Sequence, residues 1–121
     1  MFVEDDDSGG RTVLRISGTV KVGGSVRDFE ETLHHAVSKS VGPLVLDLTD
    51  LEYMDSTAIG VLVGVLHRMK SENRDLALVN PRERIAALLR IARLDTLFEI
   101  YGSVAEAMAA LDRREGGSGV Q

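Results

Sequence analysis

The sequence predicts a single α/β domain: a mostly parallel central sheet of four to five strands, an antiparallel edge strand and about four helices. Three observations carry this. Strand-like apolar stretches alternate with stretches of helical period, the order that gives parallel strands joined by right-handed crossovers. Leu44-Val45-Leu46-Asp47-Leu48 is apolar almost throughout, as expected of a strand covered on both faces. A length of 121 residues, 44% hydrophobic and 27% charged, suits one globular domain with its own core.

Taken in order, Met1-Phe2-Val3 reads as a short edge strand and Asp5-Asp6-Asp7-Ser8-Gly9-Gly10 as the turn after it. The acid triplet has the composition of a charged switch or a metal-ligand set, but nothing else in the chain converges on it, and a solvated hairpin tip is the simpler reading. Between Arg11 and Val20 the apolar residues Val13, Leu14, Ile16 and Val20 are interleaved with Thr12, Arg15 and Ser17, which predicts a half-buried strand paired with the first. Gly18 to Gly24 is expected to be a loop. From Ser25, a candidate N-cap, Val26, Phe29, Leu33, Ala36 and Val37 recur at the spacing of an amphipathic helix. His34 and His35 lie about 100° apart around its axis and do not chelate together, so they are read as surface residues.

Gly42-Pro43 ends that helix and Leu44–Leu48 follows as the central strand. After a short link come Asp55, Ser56 and Thr57, residue types whose side-chain oxygens cap helix N-termini. A largely apolar helix, roughly Thr57 to Glu72, is expected next. Gly60 and Gly64 sit one turn apart within it, and each costs about 1 kcal/mol relative to alanine. Such a pair suggests close backbone approach, either packing against the sheet or a smooth strip on which a partner docks. Leu76-Ala77-Leu78-Val79 is the next strand, stopped by Asn80-Pro81. A short helix from Arg82 to Ala92 buries Ile85, Leu88, Leu89 and Ala92. Leu94 to Tyr101 holds a short terminal strand, and Ser103-Val104-Ala105-Glu106 has capping-box spacing for a last helix to about Leu111. The domain is expected to span residues 1–112, and 113–121, charged and then Gly/Ser-rich, to be a disordered tail.

Composition narrows the function. With no cysteine there is no disulfide, thiolate chemistry or Cys-based metal site. A net charge of −5 argues against nucleic acid, whose binding is dominated by cations meeting phosphates. Acidic residues 4–7 stand where a signal peptide needs a basic region, and no run of about 18 apolar residues is long enough to cross a membrane. A cytoplasmic protein without metal or other cofactor is expected. The position that organises the chain is Ser56, a hydroxyl held where a strand has ended and a helix begins, the end of an α/β sheet at which function collects. Catalysis by Ser56 is disfavoured: the chain lacks a Gly-x-Ser-x-Gly elbow, and His67 lies about 16 Å further along the helix axis.

Leu46-Asp47-Leu48, Tyr53-Met54-Asp55-Ser56-Thr57-Ala58-Ile59-Gly60-Val61-Leu62 and Asn80-Pro81 together resemble the STAS domains of bacterial anti-sigma factor antagonists, and Ser17-Gly18-Thr19-Val20 matches that family's strand-ending glycine. The similarity runs from about Phe2 to Leu111. It implies that Ser56 is phosphorylated by an anti-sigma factor that is a serine kinase with a GHKL-type ATP site. It also implies that the unmodified protein binds the kinase and frees a sigma factor, and that a PP2C-type phosphatase restores it. Asp55, Thr57, Ala58, Gly60, Lys21 and Val22 are the partner-binding residues by the same resemblance, on a monomer or weak dimer. Ala58 stands where many members have glycine, and Lys21 where many have an acidic residue. Asp55 either orients the Ser56 hydroxyl and meets the kinase, or simply caps the helix. STAS domains also serve as scaffold subunits of stress-signalling assemblies and as small subunits of lipid-transport complexes, which is the alternative reading.

Overall fold

A computed structural model describes residues 2–8 and 11–120. Among them, β1 (Phe2–Ser8) pairs antiparallel with β2 (Arg11–Val20), and α1 (Gly24–Lys39) leads to β3 (Leu44–Asp47). The short strand β4 (Leu51–Met54) precedes α2 (Ser56–Ser71); β5 (Leu76–Val79), α3 (Glu83–Ile91), β6 (Glu99–Tyr101) and α4 (Val104–Val120) complete the chain. The sheet runs β1-β2-β3-β5-β6, with every pairing after the first parallel, and β4 pairs with β2 off this path. The α/β architecture expected from the sequence is therefore present, with one strand more than expected.

Side-chain alternation sorts the core onto two faces. Leu14, Ile16, Leu44, Leu46, Leu76 and Leu78 point to one side and pack with Phe29, Leu33, Leu62, Val65, Ile85 and Leu89 from α1, α2 and α3. Val13, Val45, Ala77 and Val79 point to the other and meet Ala107 and Leu111 of α4. Covering both faces is what makes β3 and β5 read as continuous apolar runs. The buried sheet residues beneath α4 are valine and alanine, with half-buried Tyr101 of β6 packed beside them.

Six sequence expectations need correction. β4 occupies the segment read as a link: β2 is ten residues long, its first half pairs with β3, and its end is left to pair with Leu51–Met54. Gly18, expected to open a loop, lies inside β2, where its φ of 86° accompanies a register shift between Gly18 and Thr19 within the pairing of β2 with β4. The loop is thereby confined to residues 21–23. Asp5, Asp6 and Asp7 form no hairpin tip but continue β1 opposite Leu14, Val13 and Thr12, because backbone pairing overrides their poor strand propensity; Gly9 and Gly10 lie outside the described residues. Ser25 does not cap α1. The N-cap is Gly23 at φ 113°, and the Ser25 hydroxyl instead donates to the Lys21 carbonyl and accepts from the Lys21 amide, both at 3.0 Å.

The fifth concerns the end of the chain. α4 opens as expected, with Ser103 Oγ accepting from the Glu106 amide at 3.1 Å, but it does not end at about Leu111 and runs to Val120. Arg114 ties it to Asp75 and Glu99, an anchor beyond buried Leu111 that hydrophobic periodicity does not register. Arg74 fastens the opposite end of α1 and is equally invisible to periodicity. Its guanidinium donates to the carbonyls of Val37 and Gly42 and to Ser40 Oγ, all at 3.0 Å, and pairs with Glu72 at 2.8 Å. His34, expected on the surface, is half-buried with its Nδ1 3.0 Å from Arg68 Nη1, while His35 is exposed.

Candidate functional site

The site forms where β4 ends. The Asp55 amide donates to the Val20 carbonyl at 3.2 Å, fixing the chain beside the end of β2, and Asp55 then serves as the N-cap of α2. Its two carboxylate oxygens have different tasks. Oδ1 accepts from the Ala58 amide at 3.0 Å, satisfying an orphan donor of the helix. Oδ2 accepts from the Val22 amide at 2.8 Å, across thirty-three residues of sequence. One side chain thus joins the start of α2 to the loop of residues 21–23. The amides of Ala58 and Val22 hold the Asp55 carboxyl below its ordinary pKa, against a smaller desolvation effect that raises it.

Capping by Asp55 leaves Ser56 free of that duty. Ser56 is the first residue of α2 and exposed, and its hydroxyl meets no hydrogen-bond partner among the described residues. Thr57 is exposed beside it. Across the Asp55 bridge stand exposed Lys21 and Val22, the latter with 73% of its surface in solvent. Of the expected partner-binding residues, Lys21, Val22, Asp55, Thr57 and Gly60 border one surface around Ser56. Ala58 does not. It is fully buried in the core, which corrects its assignment as a contact residue.

The two glycines of α2 are resolved in one direction. Both are exposed, and a Cβ built on either meets nothing within 4 Å, so they do not serve close packing against the sheet. They leave a strip on the outer face of α2 without side chains. Gly60→Ala and Gly64→Ala are each expected to raise stability, by up to about 1 kcal/mol; thermal melts of the two variants check this, and a lower melting temperature in either would mean that the helix surface is occupied. Gly64→Leu is likewise expected to be tolerated by the fold, because there is no core for it to overfill.

Two features escaped sequence reasoning. The Asp55 bridge to Val22 depends on tertiary placement, and no local signal announces it. The second is a cleft of about 530 Å3 lined by Thr19, Glu52, Tyr53, Arg82 and Arg84, alongside β4. Among the described residues no group of three or more His, Cys, Asp or Glu is arranged to hold a metal ion, and no helix is long and apolar enough to cross a membrane.

Fold and site together define a class: a small α/β domain that presents an exposed hydroxyl at a strand-to-helix junction. Comparison with known proteins gives the family. Residues 3–107 match the STAS domain, and the chain belongs to the STAS-domain family. A relative from Thermotoga neapolitana, named as a candidate anti-sigma factor antagonist, is 35% identical over 86 residues, covering 71% of this chain and 73% of that protein. The anti-sigma-B factor antagonist of Staphylococcus aureus is 30% identical over 86 residues, covering 67% and 80%. The crystal structure of a candidate anti-sigma factor antagonist from Thermotoga maritima superposes with a TM-score of 0.86 at 25% identity, covering 92% of this chain and 95% of that one.

Proposed function

We propose that the protein is an anti-sigma factor antagonist. In its unmodified form it binds an anti-sigma serine kinase of the GHKL type and so releases a sigma factor. Phosphorylation at Ser56 switches it off, and a PP2C-type phosphatase resets it. The observation that carries this reading is the exposed, unengaged Ser56 hydroxyl at the first residue of α2, flanked by the Val22 loop that Asp55 ties in place. The antagonist names of relatives at 30–35% identity support the same reading.

The chemistry of the position suits a switch. A phosphate on Ser56 adds about −1.5 to −2 charge at neutral pH. At the start of α2 the free amides and the macrodipole favour an anion, so the modification need not unfold anything. It acts by changing the surface against which the kinase must dock. That surface consists of Lys21, Val22, Asp55, Thr57 and the bare strip at Gly60. The protein works in the cytoplasm as a monomer or weak dimer, is not itself an enzyme, needs no cofactor and binds neither nucleic acid nor membrane. Calorimetry between the purified protein and its serine kinase tests the reading: the unmodified form is expected to bind and the phosphorylated form is not. Failure of both forms to bind, with purification instead in a stable large complex or with a transport ATPase, would favour the scaffold reading.

A further inference from the structure

The cleft beside β4 lies apart from the Asp55–Val22 bridge. Thr19 and Tyr53 are register partners on β2 and β4, each one residue from the end of its strand, and Arg82 and Arg84 stand where the chain enters α3 after β5. The cleft therefore opens at the carboxyl ends of parallel strands, where α/β sheets place their ligands. Its volume of about 530 Å3 is in the range of small-molecule sites.

Its lining is short of one partner. Arg82 is oriented by its Nε, which donates to the Thr49 carbonyl at 3.1 Å. Thr49 is itself held, its hydroxyl donating to Asp47 Oδ1 at 2.6 Å and accepting from Asn80 Nδ2 at 3.3 Å. This leaves both terminal nitrogens of Arg82 for something else. Arg84 makes no hydrogen bond or ion pair with any described residue, and the hydroxyls of Tyr53 and Thr19 have no such partner either. Glu52 lines the same cleft, yet it forms no ion pair with either arginine. Two guanidiniums sharing a cleft repel each other, and planar, multi-donor guanidinium groups match the geometry of oxyanions.

We propose that this cleft binds a small, multiply charged oxyanion, with Arg82 and Arg84 as the charged contacts and the Tyr53 and Thr19 hydroxyls as neutral donors. Phosphate esters and dicarboxylates share that chemistry. The site does not depend on phosphorylation of Ser56, so it stands or falls separately from the function proposed above.

The test is a titration of the 15N-labelled protein with sodium phosphate and, separately, with sodium succinate, each against sodium chloride of matched ionic strength. Saturable shifts of the Thr19 and Tyr53 amides are expected with at least one of the two probes, and the probe that saturates identifies the source. Arg84→Gln, which removes no contact in the folded chain, is expected to weaken that binding by about tenfold or more. Tyr53→Phe is expected to weaken it less. Thermal melts confirm that both variants are folded. Shifts that only track the chloride control, or that persist unchanged in Arg84→Gln, would overturn the proposal.

Discussion

Replacing Ser56 by aspartate is expected to weaken binding to the serine kinase tenfold or more while the protein remains folded. Ser56→Ala is expected to bind as the unmodified protein does and to resist inactivation. The structure separates these effects because Ser56 is not the cap of α2. Asp55 makes the cap bond, so Ser56→Ala forfeits only an exposed hydroxyl and should change stability by no more than about 0.5 kcal/mol. A carboxylate at position 56 meets the positive end of the helix dipole, so the fold tolerates it. In a complex the same charge must be desolvated without a partner, at a cost of several kcal/mol. At about 1.4 kcal/mol per tenfold, one decade of affinity is a conservative expectation, since aspartate carries less charge than phosphate. Calorimetry with both variants decides. Equal affinity of Ser56→Asp and the unmodified protein, with authentic phosphoprotein binding just as tightly, would remove Ser56 as the switch.

The second large effect is expected at Asp55, which serves two masters. Serine caps a helix about as well as aspartate but is too short to reach the Val22 amide as well. Asp55→Ser should therefore keep α2 and most of the stability, free the loop of residues 21–23, and weaken kinase binding with Ser56 intact. Amide exchange is the direct check: Val22 is expected to exchange about tenfold faster or more, with Ala58 much less affected. If both amides stay protected, the bridge at 2.8 Å does not hold the loop.

Acid should act through the same carboxylate. The Ala58 and Val22 amides favour its charged form and lower its folded pKa. A group whose pKa is depressed on folding contributes stability that is present above its unfolded value and is lost as pH falls through the folded one. Near neutrality the bridge is expected to be insensitive to pH. Below the usual aspartate range the Val22 amide resonance should move as the loop is released, and in Asp55→Ser that transition should be absent.

Legibility in the sequence followed the physics of each element. Periodicity sufficed for α1, whose buried Phe29, Leu33, Ala36 and Val37 are among the residues its spacing marks, and for β3 and β5, whose unbroken apolar runs reflect cover on both faces. It failed for β4, four residues following the two-residue turn Thr49-Asp50, which exist as a strand because the end of β2 needs a neighbour. It failed again at residues 5–7, where ladder pairing outweighs the composition of a turn. In the site, Ser56 and Asp55 were visible as cap-forming residues after a strand. Which of the two caps, and that Asp55 also reaches Val22, follows only from bringing residues 22 and 55 together. The glycine pair announced a bare surface, but its sequence is the same whether that surface meets the sheet or solvent.

The most direct test of the central claim is to incubate the protein with its serine kinase and ATP and to locate the phosphate by mass spectrometry. A single phosphate on Ser56 is predicted, on the exposed hydroxyl that Asp55 leaves unengaged at the start of α2. Modification of Thr57 alone, or no phosphate on Ser56, would contradict it.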